Sequence, residues 1–261
     1  MKIAAVIEYR GSQFSGWQNQ KHASSIQQHV ETALARIADH EIRVHCAGRT
    51  DAGVHALNQV IHFETTAMRP PRAWIAGSNT YLSDDVCILW AQQVADDFHA
   101  RYSAVCRSYR YVILNRPARP ALNPDLVTWE YQPLDANRMG QAAACLIGEH
   151  DFTSYRAAGC QAQVPIREVQ QLSVFRNGEY VVIDITANAF LQHMVRNIAG
   201  VLIAIGAGRE NTEWAQQVLA ARDRTRGGVT APANGLYLTR VGYPEKYQIP
   251  TPAAAAWPLI L

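Results

Sequence analysis

Residues 48–56 of this 261-residue chain read Gly-Arg-Thr-Asp-Ala-Gly-Val-His-Ala, which places a carboxylate, Asp51, close to a guanidinium, Arg49. Loops carried on a rigid scaffold are where binding and catalytic groups concentrate. A free aspartate is ionised at neutral pH, and a nearby guanidinium favours the charged form. The segment is therefore suited to nucleophilic chemistry rather than to proton donation. Asp-Ala-Gly is also an ordinary turn, in which the aspartate caps its own backbone.

The composition argues against several other kinds of site. The five cysteines are scattered and never spaced as C-x-x-C, so neither a disulfide framework nor a zinc knuckle is indicated. No H-E-x-x-H motif and no Gly-rich phosphate loop is present. We therefore predict neither a metal nor a cofactor, and we interpret His55 and His193 as non-catalytic, because the sequence shows no chain of partners for either.

The charge pattern and hydropathy bear on partners and location. The net charge is +2, but only three of the 24 basic residues are lysine. Arginine matches phosphate oxygens and stacks on bases, although genome composition bias explains the excess equally well. No apolar run approaches the roughly 18 to 20 residues of a membrane span, and the chain reaches a charge too early for a secretory signal. We expect no membrane association and a cytoplasmic location.

The first half of the chain combines strand-like and helix-like patterns around the Asp51 segment. A capping box at Ser24–Gln28 precedes apolar residues at helical spacing, while alternating apolar residues indicate strands. In order, the predicted elements are a strand at Ile3–Tyr9, a helix containing Ile26, Val30, Leu34 and Ile37, strands at Val44–Ala47 and Gln59–Glu64, a short helix near Pro71–Gly77 and a strand at Val86–Ala91.

The second half repeats this order, and an Asn177-Gly178 dipeptide gives a strong hairpin signal. The predicted elements are strands at Ser108–Asn115, Val169–Phe175, Tyr180–Thr186 and Leu236–Val241, and helices at Asp135–Gly148, Phe190–Ile205 and Asn211–Arg222.

These patterns predict an α+β protein of two similar β-α-β-β-α-β units, of the RNP or ferredoxin-like kind, which form an extended, mainly antiparallel sheet with a central cleft. The predicted domains are residues 1–104 with the Asp51 loop and residues 105–246 with an inserted loop at 115–133, followed by a tail at 247–261. Such a sheet suits looped or single-stranded RNA, although many unrelated proteins share the architecture.

Further blocks, in the order of one known family, extend the pattern over about residues 1 to 245. They are Gly16-Trp17-Gln18-Asn19-Gln20, Asp97-Phe98-His99-Ala100-Arg101, Arg107-Ser108-Tyr109-Arg110-Tyr111, Asn188-Ala189-Phe190, His193-Met194-Val195-Arg196-Asn197 and Gly235-Leu236-Tyr237-Leu238. Together with residues 48–56, they resemble the tRNA pseudouridine synthase A family.

The resemblance implies isomerisation of uridine to pseudouridine at the adjacent positions 38–40 of the tRNA anticodon stem-loop, without a cofactor, by a homodimer in which one tRNA touches both subunits. It places the catalytic aspartate at Asp51, the arginine two residues before it at Arg49, the tyrosine that stacks on uracil at Tyr109, and the arginine that pairs with the aspartate at Arg196. The family often has an acidic residue where this chain has Arg10. That departure affects the RNA contacts expected from the loop after the first predicted strand, and not the chemistry.

The chemistry suits these residues. Isomerisation breaks the N1–C1′ bond, rotates the uracil and rejoins it through C5. The carboxylate can attack C1′ or C6, or assist proton removal at C1′, and the sequence leaves these routes open. We expect the uridine to be flipped towards Asp51 at a cost of a few kcal/mol. Arg49 is then the candidate to hold the vacated space or the backbone, and stacking on Tyr109, of roughly 1 to 3 kcal/mol, would restrain the free uracil.

Structural explanations and other functions stay open at this point. Arg49 could simply pair with Asp51, Tyr109 could fill a core, and Arg196 could lie on a solvated helix face. One alternative function is a non-catalytic RNA-binding protein of paired RNP-like units, although the usual RNP aromatic run is absent. Another is a carboxylate glycosidase or nucleoside hydrolase, which would need a second acid.

Overall fold

The computed structural model describes residues 1–251, which fold into two compact units. Unit 1 comprises Met1–Val105 together with the described residues from Leu238 onward, and unit 2 comprises Cys106–Tyr237. The protein is a mixed α/β structure in which most strand pairs are antiparallel. No helix among the described residues is long and apolar enough to cross a membrane.

Unit 1 is built on a three-stranded antiparallel core in the order β4-β1-β3, with a short strand, β2, paired to β3. Its helices pack against the apolar side chains of this sheet, and the fully buried Phe63 and Trp74 rings meet edge to face at 5.2 Å. The elements are β1 (Lys2–Tyr9), α1 (Ile26–Ala38), β2 (His45–Cys46), β3 (His55–Glu64), a π-helix (Ala73–Gly77) and β4 (Val86–Val94).

Helix α1 begins and ends as its sequence indicates. The side chain of Ser25 is the N-cap and accepts a hydrogen bond from the Gln28 amide at 3.3 Å. The helix ends at Asp39, which adopts a left-handed conformation with φ of 60°. Ile26, Val30 and Leu34 are fully buried and form the apolar face of the helix. The N-cap bond of the predicted capping box and the apolar period are both confirmed.

Unit 2 contains an antiparallel sheet in the order β5-β9-β8-β7, and β6 adds to β5 in parallel. Arg110 and Asp184 face each other across β5 and β9 and form a bidentate ion pair at 2.7 and 2.8 Å. The elements are β5 (Cys106–Asn115), β6 (Thr128–Glu130), α2 (Ala136–Ala143), β7 (Gly148–Asp151), β8 (Ile166–Asn177), β9 (Tyr180–Ala187), α3 (Met194–Gly206), α4 (Trp214–Ala221) and β10 (Leu236–Gly242), whose residues from 238 belong to unit 1.

Several predicted boundaries are wrong for local reasons. The strand predicted at Val44–Ala47 is only the two residues of β2. The helix predicted over Asp135–Gly148 ends at Ala143, a 3-10 turn follows over Ala144–Leu146, and the chain is already extended at Ile147, before β7 begins at Gly148. The segment predicted as an inserted loop at 115–133 contributes β6.

The helix predicted from Phe190 to Ile205 begins at Met194 instead. His193 has φ of 61°, which a right-handed helix cannot contain, so the chain turns there before the helix starts. The helix predicted at Asn211–Arg222 is likewise shorter and comprises Trp214–Ala221.

Residues near the C-terminus belong to a different unit from the one predicted. Residues 238–246, assigned from the sequence to the second domain, group with unit 1. The Val105 amide donates to the Gly242 carbonyl at 2.9 Å, and the Val241 amide donates to Asn58 Oδ1 at 3.2 Å. Of the predicted tail at 247–261, residues 252–261 lie outside the described residues.

Candidate active site

The Asp51 loop joins β2 to β3, and backbone hydrogen bonds close it at both ends. The Ala47 amide donates to the Val60 carbonyl at 2.8 Å, and the Val54 amide donates to the Asp51 carbonyl at 3.1 Å. Gly53 supplies the left-handed turn between them, with φ of 80°. The Asp51 side chain is half-buried, so the carboxylate is neither in the core nor fully solvated.

A buried glutamine fixes the first half of this loop from the adjacent strand. Gln59, in β3, has no exposed surface. Its Nε2 donates to the Gly48 carbonyl at 2.6 Å, and its Oε1 accepts from the Gly48 amide at 3.4 Å. The side chain therefore satisfies both backbone groups of Gly48, which holds the residue preceding Arg49 in register with the sheet.

Tyr9 fixes the residue immediately before Asp51. Its hydroxyl lies 2.8 Å from Thr50 Oγ1, and both residues are buried. The same hydroxyl accepts a hydrogen bond from Gln59 Nε2 at 3.3 Å. Because Tyr9 ends β1, the position of Thr50 is set by the central strand of unit 1.

The first loop, residues 10–25 between β1 and α1, packs directly on the Asp51 loop. Gly16 has φ of 94°, and a Cβ added there would lie 2.8 Å from the Thr50 carbonyl oxygen and 3.2 Å from the Asp51 carbonyl carbon. The Trp17 amide donates to the Thr50 carbonyl at 3.0 Å. Only glycine allows this close approach. Gly16 and Trp17 therefore contact the backbone of the Asp51 loop directly and support it.

His55 supports the far end of the loop. It is buried, and its Nδ1 accepts a hydrogen bond from the Gly11 amide at 3.0 Å. A Cβ on Gly11 would lie 2.0 Å from the Val54 carbonyl oxygen. Gly16 thus approaches the Asp51 loop at residues 50–52, and Gly11 approaches it at Val54. The bond from Gly11 supports a structural interpretation of His55.

Arg49 lies on the same loop with its side chain exposed. Its positive charge acts on Cys46, at the end of β2, where it opposes the burial that raises the pKa of that thiol to about 12. The guanidinium therefore lies near Cys46, where the loop begins. An exposed arginine there can contact phosphate without first giving up a buried partner.

Tyr109 lies in β5 of unit 2, and its side chain is 9% exposed. The Phe190 ring packs edge to face against it at 5.0 Å. Arg107 Nη1 donates to the Asn188 carbonyl at 3.1 Å, and Asn188 Oδ1 accepts from the Ala189 amide at 2.7 Å. The segment before α3 thereby fixes Phe190, which was predicted to begin the helix and instead packs against the tyrosine ring.

Arg196 lies in the first turn of α3 and is half-buried. Its Nε donates to the Ala231 carbonyl at 2.8 Å, and its own carbonyl accepts from the Ala231 amide at 3.1 Å. The charge also acts on Tyr111, where it partly opposes the burial that raises the pKa of that phenol. The solvated helix face considered from the sequence is not what the structure shows.

The structure thus places Asp51 and Arg49 on one loop of unit 1, and Tyr109 and Arg196 on β5 and α3 of unit 2. Residues that the sequence analysis did not single out hold them. Those around Asp51 include Tyr9 and Gln59, and the polar Gln59 at the start of a predicted apolar strand was the signal available in the sequence. Within residues 1–251, no group of three or more His, Cys, Asp or Glu side chains is arranged to bind a metal.

Comparison with known proteins assigns the family. The family model described as tRNA pseudouridine synthase matches residues 5–103 and 142–244. The chain belongs to this family. Asp51, Arg49 and Arg196 lie within the matched ranges of the tRNA pseudouridine synthase model, and Tyr109 lies between those ranges.

Curated relatives cover nearly the whole chain. A protein named tRNA pseudouridine synthase A from Legionella pneumophila (strain Corby) is 56% identical over 247 residues, which cover 95% of this chain and 94% of that protein. The protein of the same name from Coxiella burnetii (strain Dugway 5J108-111) is 53% identical over 249 residues, which cover 95% of both chains.

Among solved structures, a chain from "Crystal Structure of a Cbf5-Nop10-Gar1 Complex" aligns with a TM-score of 0.36 and 10% identity, covering 91% of this chain and 58% of that chain. A similarity of this size does not define the fold. We therefore describe the fold by the order of the strands within each unit.

Proposed function

We propose that this protein is an isomerase that converts uridine to pseudouridine at the adjacent positions 38–40 of the tRNA anticodon stem-loop. Its membership of the tRNA pseudouridine synthase family and its relatives named tRNA pseudouridine synthase A support this activity. The observation that carries it is the Asp51 loop: Gly16 and Gln59 contact its backbone, and Tyr9 bonds to the Thr50 side chain. Such support keeps the reacting carboxylate in a fixed position.

In the proposed reaction, Asp51 is the nucleophile. It attacks C1′ or C6 of the flipped uridine, or assists proton removal at C1′, and each route ends with a C5–C1′ bond in place of N1–C1′. Arg49 contacts the RNA backbone or the space that the flipped base leaves. The resemblance pairs Arg196 with the carboxylate, and we assign it the same role.

We assign Tyr109 to contact with the uracil base. Its side chain is 9% exposed and its ring is held by Phe190, so the small accessible surface keeps a constant orientation. A fixed aromatic ring restrains a detached base better than a mobile one, because less conformational freedom is lost on stacking.

The finer architecture and the partners form part of the same proposal. In unit 1 the order β4-β1-β3-β2 supports an RNP or ferredoxin-like unit, as does the succession of strands and helices in unit 2. We propose tRNA as the partner, a homodimer as the active form, and the cytoplasm, where tRNA is modified, as the location. The predicted central cleft also remains a proposal.

The test measures tritium release from tRNA labelled at uridine C5, because forming the C5–C1′ bond expels that hydrogen. We expect wild-type protein to release tritium and Asp51→Asn, which keeps the shape but removes the nucleophilic charge, to release none. Asp39→Asn is the matched control, since Asp39 is an exposed helix C-cap whose left-handed conformation asparagine also adopts. It should retain full activity.

The other outcomes separate the alternatives. A fully active Asp51→Asn variant would contradict the role of Asp51. Tight tRNA binding by the wild type without tritium release would indicate a non-catalytic RNA-binding protein. Free uracil as the product would indicate a hydrolase.

A further inference from the structure

A buried amide next to Arg196 joins three separate segments of unit 2. Asn197 is 2% exposed. Its Nδ2 donates to the Tyr155 carbonyl at 2.7 Å, while its Oδ1 accepts from Thr230 Oγ1 at 2.6 Å and from Arg224 Nη2 at 3.1 Å. Helix α3 is thereby connected to the 3-10 turn at Thr153–Tyr155 and to the loop at 224–230.

Arg224 closes that loop on itself. Besides its bond to Asn197, Nη2 donates to Thr230 Oγ1 at 2.9 Å, and Nη1 donates to the Gly228 carbonyl at 3.1 Å. These acceptors are neutral oxygens, so the guanidinium serves here as a forked donor that fixes the loop's shape.

The end of the loop contacts α3 so closely that no side chain would fit between them. A Cβ on Gly200 would lie 1.9 Å from the Val229 carbonyl oxygen. Two residues later, Ala231 forms the hydrogen bonds to the Arg196 backbone and side chain described above. A bond at Nε fixes the plane in which the guanidinium lies, so a displacement of Ala231 would rotate the charged end of Arg196.

We propose that Asn197, Thr230 and Arg224 are positioning residues for Arg196. They hold segment 228–231 so that the Ala231 carbonyl fixes the guanidinium in the orientation that the reaction uses. They act through Ala231 and do not touch the substrate. This inference rests on the catalytic role proposed above for Arg196.

The test is Thr230→Val, which is close in shape and removes the hydroxyl that links Asn197 to Arg224. In single-turnover reactions with tRNA, we expect the rate to fall by about tenfold to a hundredfold, as is typical of a small misplacement of a catalytic group. The Kd for tRNA should change little. Thr230→Ser, which restores the hydroxyl, should recover most of the rate.

The matched control is Thr225→Val in the same loop. Thr225 is exposed, and its hydroxyl donates to Asp223 Oδ1 at 2.8 Å, without a bond to α3. Its rate should equal that of the wild type. If Thr230→Val does not fold, Arg224→Gln, which removes the guanidinium bonds to Asn197, Thr230 and Gly228, replaces it in the comparison.

A double-mutant cycle distinguishes positioning from general structural support. In an Arg196→Lys background, Thr230→Val should cause little further loss of rate, because the oriented guanidinium is already missing. A loss as large as in the wild-type background, or a wild-type rate for Thr230→Val alone, would overturn the inference. A fully active Arg196→Lys variant would instead refute the role proposed for Arg196 itself.

Discussion

Single residues decide how firmly the carboxylate of Asp51 is held. Tyr9 and Gln59 reach the loop from two neighbouring strands and meet each other at the tyrosine hydroxyl. Because every one of these groups is buried, removing one partner would leave the other unsatisfied, which costs about 1 to 3 kcal/mol. Polar contacts with β1 and β3 thus stabilise the loop, and the positions of these strands fix its conformation.

Gly16→Ala tests the support beneath this loop. We expect the free energy of unfolding to fall by about 1 to 2 kcal/mol from the left-handed backbone alone, and further because the new Cβ would lie 2.8 Å from the Thr50 carbonyl oxygen. The rate of tritium release should fall more than stability does, since Thr50 must shift and carries Asp51 with it. Urea unfolding and single-turnover assays measure the two effects.

Gly159→Ala is the matched control, because Gly159 has an ordinary φ and nothing lies within 4 Å of its added Cβ. It should leave both quantities unchanged. A Gly16→Ala variant with wild-type rate would show that contact with the first loop does not position the carboxylate.

At the scale of elements, the start of α2 is decided by local chemistry. Helix α2 has an exposed aspartate, Asp135, at its N-cap, whose Oδ1 accepts from the Asn137 amide at 2.9 Å and the Arg138 amide at 3.0 Å. The Asp135 amide itself donates to the Gly206 carbonyl at the end of α3 at 2.9 Å. One residue thus begins α2 and joins it to α3.

Asp135→Ala should lower the free energy of unfolding by about 1 kcal/mol, because two amides of the first turn lose their acceptor. Asp135→Asn keeps an acceptor oxygen and should retain most of the stability. Urea unfolding of the two variants measures the difference. An equal loss in both would attribute the effect to the charge at the helix N-terminus rather than to the hydrogen bonds.

At the scale of the whole molecule, we expect stability to depend on pH through a buried histidine. His62 is 4% exposed, stacks on His45 at 5.0 Å and meets His99 at 4.5 Å. Burial lowers the pKa of His62 to about 3, and the charges of His99, His45 and Lys2 act in the same direction. Burial also lowers the pKa of His99.

This shift fixes the sign of the pH dependence. The pKa of His62 is lower in the folded protein than the value of about 6.5 in an unfolded chain. Between these values the unfolded chain binds a proton that the folded protein does not, so the free energy of unfolding falls as the pH drops below about 6.5. Protonation therefore favours unfolding across the mildly acidic range.

His62→Asn should reduce this loss of stability between pH 7 and pH 5, because asparagine does not titrate and its Oδ1 can accept the Ala100 amide bond that His62 Nδ1 now accepts. Part of the slope should remain because of His99. Urea midpoints at several pH values measure it. His22→Asn, at an exposed position, should keep the wild-type slope, and an unchanged slope in His62→Asn would exclude this histidine as the source.

The sequence by itself determined the features that depend on neighbours in the chain. The capping of α1, its apolar period and the hairpin at Asn177-Gly178 are short-range patterns, and the structure contains each of them. The family also follows from the sequence, because its motifs are runs of adjacent residues.

Only the tertiary structure decided which distant residues support the candidate site. Tyr9 meets Thr50, Gln59 meets Gly48, and Asn197 meets Arg224 across separations that no periodicity encodes. The start of α3 was missed for a related reason, since Phe190 packs on Tyr109 of β5, and the left-handed His193 precedes the helix. A buried polar side chain must find its partner wherever the fold places one, and that place is known only when the chain is folded.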